Sequence, residues 1–228
     1  MKWLTHAFVL GALIAPVAHA EPGGVSGVSG PSVTSGEIKL EARTAAFDGG
    51  SLDGAWAHRV QASYSPTDWY RPTLILRASQ PNNESAELTS VGIENVFDFT
   101  ATREWPVHFG GLFEYKFGVH DAADQVEVKL LAERSMGPVS ARFNLNAFRN
   151  LDDGADWHPA YAGRLTWRAS ETFTIGAEVF GEPDADAHYI GPRATARLGH
   201  TTVALSYLAG YDEAAADGQI RLGLEFAP

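Results

Sequence analysis

From Glu37 to Phe226 the chain alternates between apolar and polar positions with a period of two. Ile38, Leu40 and Ala42 interleave with Lys39, Glu41 and Arg43, and Phe113, Tyr115 and Phe117 with Leu112, Glu114 and Lys116. Further on, Val139, Ala141, Phe143 and Leu145 interleave with Arg142, Asn144 and Asn146. A period of two sends successive side chains to opposite faces, so each segment reads as a strand with one apolar and one polar face. Twelve such segments fall at 37–47, 54–64, 69–79, 88–99, 105–117, 125–134, 138–149, 160–169, 172–181, 188–198, 201–211 and 218–226. They approach the roughly 9–11 residues that a tilted membrane strand needs and exceed the ~5–6 of a soluble one.

The connections alternate as well. Even-numbered ones are tight turns, such as Ser135-Met136-Gly137 and Gly199-His200, while odd-numbered ones are longer and acidic, such as Gln80 to Glu87 and Asn150 to Trp157. Short turns at one end and longer loops at the other predict an antiparallel up-and-down transmembrane β-barrel. An even strand count puts both chain ends on the turn side; ten or fourteen strands stay open. Aromatic residues gather toward strand ends, with Trp56, Tyr115, Phe148 and Tyr189 near the loops and Tyr64, Trp69, Trp167 and Phe226 near the turns. Two such girdles are expected at the two lipid–water interfaces.

Charge sharpens this reading. With the apolar face toward lipid, 13 of the 17 Lys and Arg residues point inward: Lys39, Arg43, Arg59, Arg71, Arg77, Lys116, Lys129, Arg142, Arg164, Arg168, Arg193, Arg197 and Arg221. The inward acids are Glu37, Glu41, Glu94, Asp98, Glu114, Glu127, Glu133, Glu178 and Glu225. So many charges would be prohibitive in a dry soluble core, and a wet lumen tolerates them. The expected pore lining is Arg59, Arg71, Arg77, Glu94, Asp98, Glu114, Glu127, Glu133, Arg142, Arg164, Arg168, Arg193 and Arg197. Acids cluster on strands four to six and arginines on strands seven, eight and ten, which predicts a transverse field across the lumen.

Composition trims the alternatives. The net charge of −11 argues against a nucleic-acid partner, and the absence of cysteine removes disulfides and thiolate chemistry. Residues 1–20 combine Lys2, the apolar stretch Phe8 to Ala15 and Ala18-His19-Ala20, the pattern of a cleaved signal peptide. Residues 21–36, rich in Gly, Ser and Val, read as a flexible tail, with entry into the lumen as the alternative. The barrel occupies 37–228. Acidic outer loops could hold hard divalent cations or be plain solvated tips. His120, His158 and His188 lie beside acids, with no two at ligand spacing, so no metal or cofactor site is assigned. His58 and Asn95 fall on the lipid face.

The leader, the alternating strands and the last strand, Gln219-Ile-Arg-Leu-Gly-Leu-Glu-Phe226, together resemble the small porin-like outer-membrane proteins of Gram-negative bacteria. The resemblance covers 37–226 in architecture and singles out no one family. It implies an outer-membrane location and lipid contact, with small polar solutes as cargo. It also implies recognition of the last strand's terminal aromatic by the barrel-insertion machinery, although Ala227-Pro228 follow Phe226 here. The expected function is passive diffusion of small hydrophilic solutes through a charge-lined lumen. A non-conducting structural or complex-forming barrel, closed by Arg–Glu pairs, is the alternative. An outer-rim hydrolase is a remote third; no nucleophile motif stands out. Whether the protein forms a homo-oligomer or a complex with others stays open.

Overall fold

The computed structural model describes residues 25–101, 105–120, 122–152, 154–214 and 216–228; the expected signal peptide lies outside them. Alternation produces twelve strands: β1 (Ile38–Asp48), β2 (Trp56–Tyr64), β3 (Tyr70–Gln80), β4 (Glu87–Asp98), β5 (His108–Gly118) and β6 (Gln125–Met136). The second half continues with β7 (Val139–Asn150), β8 (His158–Arg168), β9 (Phe173–Glu182), β10 (Ala187–Leu198), β11 (Thr201–Asp212) and β12 (Gly218–Phe226). Each strand pairs antiparallel with its sequence neighbours, and β1 pairs with β12 from Leu40↔Phe226 to Asp48↔Gly218, closing the barrel. The expected segments are all present; the largest shift is at β5, which starts at His108 rather than at 105.

The polarity is inside-out. Leu130 is 66% exposed and Leu165 55%, whereas Glu114 is 0% and Glu178 2% exposed. A protein in water would bury the leucines and expose the glutamates; a hydrocarbon surround around a polar lumen reverses both preferences. At the turn end, Gly137 closes the β6–β7 hairpin with φ 61°, a conformation that a side chain disfavours. The C-terminus is pinned there too: Ala227 N–H donates to the His200 carbonyl at 3.0 Å.

Features that the pattern left unexplained have local causes. Asn95, on the lipid face, accepts a 2.8 Å hydrogen bond from the Tyr70 hydroxyl beside the Trp69–Tyr70–Phe97 ring cluster. His58 pairs with Thr44 Oγ1 at 2.9 Å and stacks on Trp56. Gly191-Pro192 marks a gap in the β10–β11 ladder, whose register passes from Ile190↔Ala209 to Arg193↔Ser206. Proline has no N–H to donate, and a Cβ at 191 would overlap the Tyr207 carbonyl.

One expectation is corrected. Phe148 and Tyr189, assigned to the outer girdle, point inward and are 5% and 2% exposed. They sit on the inward parity of β7 and β10, which proximity to the loops alone does not reveal. For 21–36, read as a flexible tail with entry into the lumen as the alternative, the described part follows the alternative: residues 25–33 run inside the barrel, where Val25, Val28, Pro31 and Val33 are buried. The tail enters at the turn end, where Gly36 N–H donates to the Ser65 carbonyl at 2.7 Å. It climbs past Val96, Leu112 and Leu131, which pack on Val33, and ends near the loops among Ala45, Phe47, Ala57, Ala162, Phe180, Tyr189 and Leu208, which surround Val25 and Val28. Each fully buried valine contributes about 1.5–3 kcal/mol toward holding it there.

Candidate functional site: the charged interior

The interior divides into two levels. The level nearer the turns encloses a cavity of about 200 Å³. Nine basic side chains line it: Lys39, Arg43, Arg59, Arg71, Lys129, Arg142, Arg164, Arg193 and Arg221. Four carboxylates face them: Glu41, Glu94, Glu133 and Glu225. The wall there is strongly positive, against the sign of the whole chain.

The arginines are held in place by ion pairs along the wall. Arg59 reaches Glu94 at 3.3 Å, and Arg142 reaches Glu133 at 3.0 Å. Arg43 pairs with Glu41, which also accepts a 2.8 Å bond from Gln61. Glu178 gathers three guanidiniums: Arg164 at 2.7 Å, Arg193 at 3.3 Å and Arg221 at 3.9 Å. One carboxylate among three cations leaves this patch of β8, β9, β10 and β12 with surplus positive charge. Planar forks present several N–H donors in fixed directions, the geometry that suits carboxylates and phosphates.

The level nearer the loops is filled. Arg77 is paired to Glu114 at 2.6 Å, with Gly92 leaving room for the carboxylate. Lys116 and Lys129 share Glu127 at 3.5 and 3.2 Å. Above these pairs the wall turns apolar and closes on the tail, with the Arg221 guanidinium 4.8 Å over the Phe180 ring at the boundary.

Of the expected lining residues, Arg59, Arg71, Glu94, Glu133, Arg142, Arg164 and Arg193 face the cavity. Arg77, Glu114 and Glu127 point inward and are packed in the filled level. Arg168 and Arg197 are exposed at the ends of their strands, where the barrel meets water at the turn side. Asp98 is spent on a turn: it accepts from Thr100 N–H at 2.8 Å and from Thr100 Oγ1 at 2.9 Å. The transverse field is likewise corrected. Arg59 and Arg77 neutralise the acidic arc locally, and Glu178 sits in the middle of the arginine arc.

Absent from the expected lining was the tail. Its hydrogen bonds to the wall run through its backbone: Asn144 accepts from Ser29 N–H and donates to the Ser29 carbonyl, both at 2.8 Å. Arg43 donates to the Val25 carbonyl at 3.3 Å, Arg71 to the Ser32 carbonyl at 3.4 Å, and Arg221 to the Ser26 carbonyl. The sequence carried a signal for this, the repeat Val25-Ser26-Gly27-Val28-Ser29-Gly30, which places valine, serine and glycine each on its own side of an extended chain. At the loop rim, His158 Nδ1 lies 3.6 Å from Asp184, and His188 stacks on Tyr211 and meets the Tyr161 hydroxyl at 3.0 Å. Among the described residues, no group of three or more His, Asp or Glu side chains is arranged to hold a metal ion.

A closed barrel of twelve antiparallel strands, apolar outside and charged inside, defines a porin-like outer-membrane β-barrel. No family model and no curated protein sequence matches the chain. Among solved structures it is similar to the KdgM porin in complex with disordered oligogalacturonate (TM-score 0.65, 9% identity, 82% of this chain and 98% of that one). It is also similar to the NanC porin (0.63, 11%, 82% and 98%). A third is the COG4313 outer membrane channel from Pseudomonas putida F1 (0.58, 10%, 92% and 100%). At such identities the likeness is one of fold.

Proposed function

We propose that the protein is a porin-like channel of a Gram-negative outer membrane, passing small hydrophilic solutes and favouring those that carry carboxylates. The turn end then faces the periplasm and the acidic loops face outward. One observation carries the reading: nine basic side chains line the cavity, against four lining carboxylates and six when Glu127 and Glu178, which pair with four of the nine, are included, inside a chain of net charge −11. A positive, narrow, low-dielectric passage draws anions and repels cations. The likeness to a porin in complex with oligogalacturonate, a carboxylate-bearing chain, agrees with that selectivity.

The test is current through single barrels in a planar bilayer under a salt gradient. Stepwise, anion-preferring currents are expected from barrels whose lumen is free of residues 25–33, and Arg164→Ala with Arg193→Ala should move the reversal potential toward the cation side. Identical reversal potentials in the two proteins would remove the arginine patch as the filter. The filled upper level favours a second reading, a closed structural barrel. Silence at every salt and voltage, with the tail seated and with it displaced, supports that one.

A further inference from the structure

We infer that the lumen wall, from the charged cavity up to the apolar ring, is a binding groove for an extended peptide main chain with two glycines three residues apart, and that residues 25–33 occupy it and thereby close the channel. The closure rests on the channel reading above; the groove does not.

The groove recognises backbone. Asn144 takes both the N–H and the C=O of Ser29 at 2.8 Å, a pairing made with main chain alone. Arg43, Arg221 and Arg71 each donate to a carbonyl, of Val25, Ser26 and Ser32. Spacing along the chain is read by volume. A Cβ at Gly27 would overlap the Arg43 guanidinium, and one at Gly30 would lie 2.7 Å from Glu133 Oε2 and 3.0 Å from Arg142 Cζ. Arg43 is paired with Glu41 and Arg142 with Glu133, so a side chain at either glycine has to displace an ion pair. Val25 and Val28, on either side of Gly27, fill the apolar ring around Phe47, Phe180 and Tyr189.

Closure follows from position. The tail climbs from the turn end beside the charged cavity, whose lining includes residues 27–30 and Ser32, and fills the barrel above it with Val25 and Val28. While it is seated, a solute entering from the turn side meets a wall of backbone and valine. The seat is also reversible in principle: no cysteine ties it down, and glycine and serine regain much chain entropy on release.

The experiment uses the full chain. Val28→Cys supplies the one thiol, probed with a membrane-impermeant maleimide in the folded protein, alone and combined with Gly27→Leu plus Gly30→Leu. Labelling is expected to be at least tenfold faster in the leucine variant, and its open-channel current at least tenfold larger than that of the parent. The synthetic nonapeptide Val-Ser-Gly-Val-Ser-Gly-Pro-Ser-Val, added at the turn side, should close the leucine variant again. The same peptide with leucine at its two glycine positions should leave it open. Equally fast labelling of both proteins overturns the groove. Different labelling with equal currents overturns closure and spares the channel. Silence in both overturns the channel and closure together, and the labelling ratio then decides the groove alone. Should the leucine variant fail to fold, Asn144→Ala with Arg71→Ala removes the grip from the wall side and is read in the same way.

Discussion

The two levels of the lumen share strands and differ in chemistry. β1 carries Lys39, Glu41 and Arg43 below and Ala45 and Phe47 above, all on one face; β9 and β10 likewise pass from Glu178 and Arg193 to Phe180 and Tyr189. Water access accounts for the change. Where the cavity is open, charges are solvated and paired; where the tail displaces water, an unpaired charge would bear a desolvation cost and the wall becomes apolar. The inside of this barrel is therefore part charged cavity and part protein core.

The largest expected effect comes from unbalancing the lower level. Glu178 is 2% exposed and answers three guanidiniums, so Glu178→Gln leaves a cluster of like charges with no counter-ion. Removing one partner of a buried ionic network typically costs about 3–5 kcal/mol. A fall of that size in the denaturant-unfolding free energy is expected, together with stronger anion preference. A loss below about 1 kcal/mol would mean that water screens the cluster.

Next comes the upper level. Asn144→Ala removes two buried hydrogen bonds to Ser29 and touches no ion pair. At about 0.5–1.5 kcal/mol each, the seated tail should lose roughly 1–3 kcal/mol, or about 5- to 150-fold in its seating equilibrium. Maleimide labelling at Val28→Cys should accelerate accordingly, while barrel unfolding stays near the parent value. Unchanged labelling would assign the seat to the valines alone.

The same contrast explains what could be read from sequence. Strand positions, closure and the inward arginines are local: Arg164 and Leu165 differ by one position, and period two sends them to opposite faces. Ion-pair partners are not local. Glu178 meets Arg221 only because register aligns β9 with β12 across two intervening strands, and no one-dimensional pattern encodes that distance. For the tail, composition leaves linker and lumen entry both open. Gly, Ser and Val in alternation match the composition of a linker, and only the twice-repeated Val-Ser-Gly set against a matching wall decides between them. Phe148 and Tyr189 were misplaced because closeness to the loops was given weight over strand parity.

The smallest effect lies beyond both levels and tests whether the outer loops share in the interior's order. Asp124, between β5 and β6, accepts from the Tyr115 hydroxyl at 2.7 Å and from Gly118 N–H at 2.9 Å. The tyrosine bond chiefly, and the backbone bond after it, hold this carboxyl below its ordinary range. Its pKa is thus lower in the folded loop than in an unfolded one, and the stabilisation is complete above the unfolded value of about 3.9. It fades as the pH falls from there through the folded value. The Gly118 amide should consequently exchange faster, relative to a mid-β5 amide such as Leu112, as the medium is acidified below about pH 4. Asp124→Asn keeps an acceptor and cannot titrate, so the ratio should become flat across that window. A ratio that still climbs in the variant would move the titration to another group, and the loop would then be ordered independently of this carboxylate.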